Sequence, residues 1–394
     1  MNTKMNLIET KGLHESELIG KENVVGVGIG RKVVKGVETD RNCITVLVKQ
    51  KKPESELMDS DIIPQLLDGV ETDVIAVGVI RAYDMPMNVD RCNRQRPLQM
   101  GHSLGYGLGP DTGTAGLVIL KNNKKMILSN AHVICPTWTG ATKGDAVISP
   151  GAYDKGTVND QIGKVESVIT IDFAAANNTI DCALCEPFNQ TDVSPNIEEV
   201  GLVRGVYTGL KVGDKVLKSG RTSQLTESTI KVMYATVTVD YNGKNAIFIN
   251  QIITDKGLIS PGDSGSALLV NDNGVLKVAG LCFAGSPVVG IANQIQVVFT
   301  ALECELYVEQ ETENTYTVNI IMTPETETKK WTVNGVVKDL VGNLLSGVGV
   351  CLNGSNYTTN TLGAFTVTGL NTGKYTVKAT KIGFKQVEKE ISLK

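Results

Sequence analysis

Ser260-Pro261-Gly262-Asp263-Ser264-Gly265-Ser266 is the stretch around which the rest of the chain makes sense. A serine between glycines, with an acid before it, exposes a nucleophilic hydroxyl on a tight turn. The same turn aims backbone N–H groups at the oxygen of a carbonyl under attack. Glycine-rich turns holding Asp and Ser also occur as ordinary turn chemistry, so the stretch gains meaning from two others upstream. Leu128-Ser129-Asn130-Ala131-His132-Val133 offers an imidazole, and Ile180-Asp181-Cys182-Ala183-Leu184 offers a carboxylate at the start of an apolar run. Only three histidines occur, at 14, 102 and 132. His14 lies in a polar leader and His102 in a Gly-rich segment, so only His132 has a strand before it to hold it.

The chain order is therefore His, Asp, Ser. With their local contexts, the three segments resemble the trypsin-like serine protease family in its bacterial form, over residues 100–310. The resemblance implies a chymotrypsin-like double β-barrel in which Ser264 attacks, His132 moves protons and Asp181 orients His132. The N–H groups of Gly262 and Ser264 would form the oxyanion hole, with Pro261 fixing one backbone torsion beside it. Asp172, in Thr170-Ile171-Asp172-Phe173, is a rival carboxylate. Asp181 is preferred because the small and apolar residues after it match the family pattern and can bury the acid against the imidazole, where an unpartnered carboxylate would be costly.

The same pattern places the floor of a specificity pocket at Leu258 and one wall at Phe283, Ala284 and Gly285. No carboxylate stands there, so the expectation is an uncharged or small substrate side chain. Val216-Leu217-Lys218-Ser219-Gly220-Arg221-Thr222 looks like the strand and turn that precede the active serine in bacterial members; Lys218 and Arg221 either meet substrate or simply build a basic turn. No Ile-Val-Gly-Gly start is visible, so Asp263 is expected to pair with something other than a freshly cut N-terminus. Two alternatives use the same residues: a catalytically silent protease fold that binds peptides, and an esterase.

The wider composition agrees with a mainly β chain. Val, Ile and Thr recur in short runs separated by Gly, Asn and Asp. A chain of 394 residues exceeds what one core serves. The formal charge of −4 gives no electrostatic reason to bind nucleic acid or an anionic membrane. Residues 1–22 read as a polar leader without the apolar core of an export signal, which points to a cytoplasmic protein with its eight cysteines as thiols. Cys182 and Cys185 form a C-x-x-C with no second pair to complete a metal site, and no metal or organic cofactor is implied.

Residues 23–98 read as an N-terminal α/β module and linker, resembling a module found ahead of some bacterial trypsin-like proteases. Val24–Gly30 and Ile44–Val48 look like paired strands, 55–67 like a helix interrupted by Pro64, and 73–77 like a returning strand. Gly26, Gly28 and Gly30 are spaced G-x-G-x-G with no helix following, which suits a strand and not a dinucleotide site. Arg91, Arg94 and Arg96 read as a solvated linker with ion pairs. Residues 99–322 would be the double barrel, with a helix over 292–306 closing the second barrel.

A polar linker, 323–330, precedes short strands with turn signals over 331–394, the spacing of a small β-sandwich. There Gly369-Leu370-Asn371-Thr372-Gly373-Lys374-Tyr375 and Gly383-Phe384 resemble the carboxypeptidase regulatory-like, transthyretin-like domain. That resemblance implies a binding or spacing role, with a protein partner, and points toward release outside the cell. The expected partner of the whole is a peptide or protein substrate, without nucleic acid or membrane.

Overall fold

The computed structural model describes residues 6–82, 90–175, 177–309, 316–325, 330–339, 342–381 and 386–394. It divides into two compact units, Met1–Glu309 and Gln310–Lys394.

The first unit holds two large sheets. One runs in the order Glu305–Leu306, Leu117–Lys121, Lys124–Ser129, Ala183–Pro187, Gln161–Val168, Ala146–Ile148, Ser103–Tyr106 and Gly113–Thr114. Its last strand runs on through Ala115 and Gly116 into Leu117–Lys121, so the sheet closes on itself. Gly116 N–H donates to Leu128 O (2.9 Å) and Ala115 N–H to His102 O (2.9 Å) across the join. The hairpin that leads to His132 turns at Asn122 and Asn123, both left-handed with φ of 52° and 59°. That two-residue turn matches the strand twist, and the buried Leu117, Ile119, Ile127 and Leu128 then fill the barrel.

The second sheet closes as a six-stranded barrel ordered Lys215–Gly220, Ala267–Asp272, Val275–Ser286, Val289–Gln294, Lys244–Asp255 and Gln224–Tyr241, the last pairing back onto the first. It does not stop there. Val24–Val34 pairs antiparallel with Gln224–Tyr241, and Val37–Val48, Val70–Ala76 and Leu66–Leu67 follow outward. The N-terminal segment is therefore an extension of the second barrel and not a module standing ahead of it. The apolar run Val24–Ile29 can pair on both edges, and a free edge of that length would be a liability.

Three local expectations change. Most of the leader is helical: Leu7–Gly20 is a helix opened by a capping box between Asn6 and Glu9, with Leu18 buried against Val27, Ile44 and Val46. Its apolar positions are too few for periodicity to show, and the cap is what marks it. Residues 55–67 hold the single turns Glu54–Glu56 and Asp59–Asp61 and the short strand Leu66–Leu67 instead of a helix, because the short window between Pro53 and Pro64 does not repay helix nucleation. The late helix is confined to Ile295–Leu302, since Val289–Gln294 is a strand. Its Ile295, Val298 and Leu302 join a core cluster drawn from both barrels, and the helix packs on Val275–Ser286 and Val289–Gln294 of the second as expected, while Glu305–Leu306 crosses to pair with Leu117–Lys121 of the first.

In the second unit, Tyr316–Pro324, Trp331–Asp339 and Ala364–Leu370 form one sheet. Ser355–Thr358, Gly349–Leu352, Gly373–Thr380 and Val387–Leu393 form the other. Val333, Val337, Val350, Phe365, Val377 and Ile391 pack between them. The stretch 323–330 is not the link between units. Thr323 and Pro324 lie in a strand paired with Trp331–Asp339, and Glu325 N–H donates to Lys330 O (2.7 Å); 326–329 lie outside the described residues. Alternating Tyr316–Pro324 is thus an edge strand of the sandwich. Among the described residues no helix is long and apolar enough to cross a membrane.

Because Val27 sits in a sheet continuous with the second barrel, Val27→Asp should lower the melting temperature of the whole first unit in one transition. Differential scanning calorimetry checks this. A separate low-temperature peak, with the remaining transition unmoved, would show that the N-terminal strands melt independently.

Candidate active site

The strand Lys124–Ser129 delivers Asn130 and a single helical turn, Ala131–Ile134, that carries His132. Asp181 stands just before Ala183–Pro187, whose Ala183 pairs with Ser129. Register alone therefore brings the acid beside the imidazole. His132 Nδ1 lies 2.5 Å from Asp181 Oδ2, and Oδ1 accepts the His132 backbone N–H at 3.2 Å. Asp181 is wholly buried. Its own backbone is clamped as well: N–H donates to Asn293 Oδ1 (3.1 Å) and its carbonyl accepts from Asn130 Nδ2 (2.7 Å). Asn293 is in turn fixed by Gln251 Oε1 (2.7 Å). The rival, Asp172, is exposed and accepts the N–H groups of Ala174 and Ala175 in its own loop.

One further group reaches this carboxylate. The Tyr241 hydroxyl donates to Asp181 Oδ2 at 2.8 Å. Burial, with the Asp181 charge added, pushes the phenol well above its ordinary pKa, so it remains a donor. The ring meets His132 edge-on at 5.8 Å between centroids and packs with Trp138 (5.4 Å) and Phe173 (5.9 Å). Sequence reasoning missed Tyr241, which carries no mark beyond the Asn242-Gly243 turn signal after it.

Ser264 lies where the two barrels meet. Thr114 of the first barrel donates its N–H to Ser264 O (2.8 Å) and its hydroxyl to Gly262 O (2.9 Å), while accepting Arg221 N–H (3.0 Å). Within 262–266, the N–H groups of Asp263, Gly265 and Ser266 go to the carbonyls of Ser260, Cys282 and Asp263. Those of Gly262 and Ser264 have no protein acceptor among the described residues. Gly262 takes φ of 93°, a left-handed backbone that a side chain would resist. Ser264 Oγ donates to the carbonyl of Phe283 at 3.3 Å.

The partner of Asp263 is an internal lysine. Lys218 Nζ lies 3.1 Å from Asp263 Oδ2, and neither side chain is exposed. The carboxylate also accepts the N–H groups of Thr222 (2.9 Å), Ser223 (3.0 Å) and Ser260 (2.9 Å) and the Ser223 hydroxyl. Burial lowers the Lys218 pKa below the ordinary lysine value, opposed by the Asp263 charge. Gly220 is needed here, since a methyl group on it would stand 2.5 Å from Asp263 Oδ1. Arg221 is also internal: Nε donates to Asp154 Oδ2 at 2.8 Å, and the ring of Tyr153 lies 5.7 Å away. Neither basic residue of Lys218-Ser219-Gly220-Arg221-Thr222 is left for substrate.

The expected pocket residues are placed differently. Leu258 is buried in the second-barrel core with Val216, Ile252 and Leu268. The neighbouring Ile259 instead reaches Gly285, where an added methyl would lie 2.9 Å from its Cδ1. Phe283 turns its ring into the core against Phe248 (4.9 Å) and presents only its carbonyl, and Ala284 is buried in the same cluster. Only Gly285 offers an edge. The register shift between Cys282 and Ala284 breaks strict alternation, so the successive Phe283 and Ala284 both enter this core. Of the three linker arginines, Arg91 is buried and donates to Ser219 Oγ (2.7 Å) and Gly220 O (2.8 Å). Arg94 pairs with Asp160 (3.3 Å), and Arg96 donates to the carbonyls of Ser149 and Asp160. His102 meets Glu198 (3.3 Å) and His14 meets Asp68 (2.8 Å). Cys182 and Cys185 are buried in the first-barrel core, and burial pushes both thiols up.

A family model for trypsin matches residues 90–302, more than half of the chain. The chain belongs to the trypsin family. A second model, the carboxypeptidase regulatory-like domain, matches 332–394. Among solved structures, this trypsin-family chain is similar to a glutamic-acid-specific serine protease at 16% identity, with 53% of this chain and 100% of that one covered and a TM-score of 0.39. Thermobifida fusca protease A matches at 17% identity, covering 53% and 98%, with a TM-score of 0.39. Cellulomonas bogoriensis chymotrypsin matches at 18%, covering 53% and 98%, with a TM-score of 0.38. A search of curated proteins finds no match.

Removing one partner of a buried ion pair strands the other. Lys218→Met should therefore cost about 3–5 kcal/mol in urea denaturation, whereas Lys218→Arg should retain most of the stability. Equal loss in the two variants would show that Asp263 does not need the charge.

Proposed function

We propose that this chain hydrolyses peptide bonds through an acyl-enzyme. Ser264 Oγ attacks the carbonyl carbon while His132 takes its proton. The same imidazolium then protonates the leaving amine, and a water deprotonated by His132 releases the acyl group. Asp181 holds the proton on Nδ1 and stabilises the imidazolium. Gly262 and Ser264 N–H groups receive the oxyanion. The observation that carries the reading is the buried Asp181 bonded to both the ring and the backbone of His132, in a chain whose serine loop keeps two unshared N–H groups. Lys218 would hold that loop through Asp263 without a newly cut N-terminus. The Ser264 rotamer on the Phe283 carbonyl would rotate toward the imidazole as substrate enters. For the C-terminal sandwich, with apolar side chains filling its interior, a spacing or partner-binding role is the reading.

Fluorophosphonate labelling tests this reading, since the probe reacts with an activated serine. Wild type should label, and Ser264→Ala and His132→Ala should not; peptide turnover should fall by about a millionfold in either variant. Labelling of Ser264→Ala as strong as wild type would remove Ser264 as nucleophile. Tyr241→Phe, which deletes one hydrogen bond to a charged acceptor, should lower kcat about tenfold or more with little change in KM. An unchanged kcat would make that phenol structural only.

The lowered Lys218 pKa gives a pH prediction. As pH rises, Lys218 loses its proton below the ordinary lysine range and Asp263 loses its counter-charge, so activity should show an alkaline limb there. Lys218→Arg should move that limb upward, because guanidinium stays charged. A limb unmoved by the substitution would assign it to another group.

A further inference from the structure

The strand Val275–Ser286 runs past the site with Phe283 O on the Ser264 hydroxyl, and two residues further on Gly285 presents both backbone groups at an edge. That edge is already taken. Arg81 N–H donates to Gly285 O and Gly285 N–H to Arg81 O, both at 2.9 Å, in an antiparallel bridge. On its other side the same short segment pairs parallel with the end of Gln224–Tyr241. Asp240 N–H donates to Ile80 O (3.0 Å) and Ala82 N–H to Asp240 O (3.2 Å). Arg81 Nε lies 3.6 Å from Asp240 Oδ2.

Direction and depth matter as much as the pairing. Being antiparallel to Val275–Ser286, the segment advances from Gly285 toward Phe283 and hence toward Ser264. Ala82 accordingly shares a cleft of about 260 Å³ with His132, Trp138 and Tyr241. This is the direction in which the acyl side of a peptide must enter if its next carbonyls are to reach the serine. At the other end Ile80 is buried with Phe283, Phe248 and Tyr241, so the strand is anchored by its side chain as well as its backbone.

We propose that Ile80–Ala82 is an occupant in cis of the slot that would bind an extended peptide by strand addition. It leaves the Ser264 site formed but closed to peptides that need the Gly285 edge. The inference rests on the peptidase reading and names its regulation: longer substrates gain access when this segment is displaced. Because Gly285 has one outward donor and one outward acceptor, segment and substrate cannot both be paired there.

The test separates small from extended reagents on the full-length protein. Second-order inactivation rates are measured for an alkyl fluorophosphonate, and for peptidyl phosphonates of one, two and three residues carrying a panel of terminal side chains. In wild type the alkyl reagent should label Ser264, and lengthening the peptide should raise the rate less than threefold. In Arg81→Pro, which lacks the N–H given to Gly285, the three-residue reagents should gain at least tenfold while the alkyl rate stays within twofold. A tenfold gain with length in wild type overturns the inference, as does a flat series in an Arg81→Pro protein that still takes the alkyl label. If that variant fails to fold and label, the wild-type series decides alone. No alkyl labelling of wild type would instead count against the peptidase reading itself.

Discussion

A carboxylate with no exposure needs compensation, and Asp263 finds it from five directions: Lys218, three backbone N–H groups and a serine hydroxyl. These donors come from the strand Lys215–Gly220, from the turn after it and from the start of the serine loop itself. Satisfying one buried charge therefore ties the loop at Asp263 to the wall of the second barrel and folds its start, Ser260, back onto the same carboxylate. The neighbouring N–H groups are consumed in the turn, and those of Gly262 and Ser264 are left pointing away. Thr114 then stitches this loop to the first barrel through two hydrogen bonds, to Ser264 O and Gly262 O, and accepts a third from Arg221 N–H. The charge that faces Asp263 comes from an internal lysine.

The strand Gln224–Tyr241 acts as the spine of the second barrel. Its 18 residues reach about 60 Å if fully extended, enough to serve three tasks. One end pairs with the strand that bears Lys218, the middle accepts Val24–Val34, and the far end places Tyr241 on Asp181 and Asp240 against Arg81. The N-terminal strands and the site are thus connected through one sheet. Segment 77–82 is the short path between them, with Val77 and Ile80 buried at its base.

Much of this was legible because local chemistry and long-range packing agree. The apolar runs before His132 and after Asp181 mark neighbouring strands, Asn122-Asn123 marks their hairpin partner, and the glycines around Ser264 mark a turn that needs left-handed backbone. The leader helix was not legible, since its one deeply buried side chain, Leu18, has too few apolar companions to show a period. The burial of Leu258, Phe283 and Ala284 was not legible for a different reason: position along a strand fixes neither which face a side chain takes nor which backbone edge is already paired.

By itself the sequence determined the strand-rich class, the chain order of His132, Asp181 and Ser264, and the turn chemistry that presents a serine. Residue type and local spacing suffice for those, because each depends on neighbours only a few positions away. The tertiary structure decided the pairing of Lys218 with Asp263, the hydroxyl of Tyr241 on Asp181 and the seating of Arg81 against Gly285. Those contacts join residues 45, 60 and 204 positions apart. Such separations are bridged only when sheets close and buried charges and backbone edges must find partners.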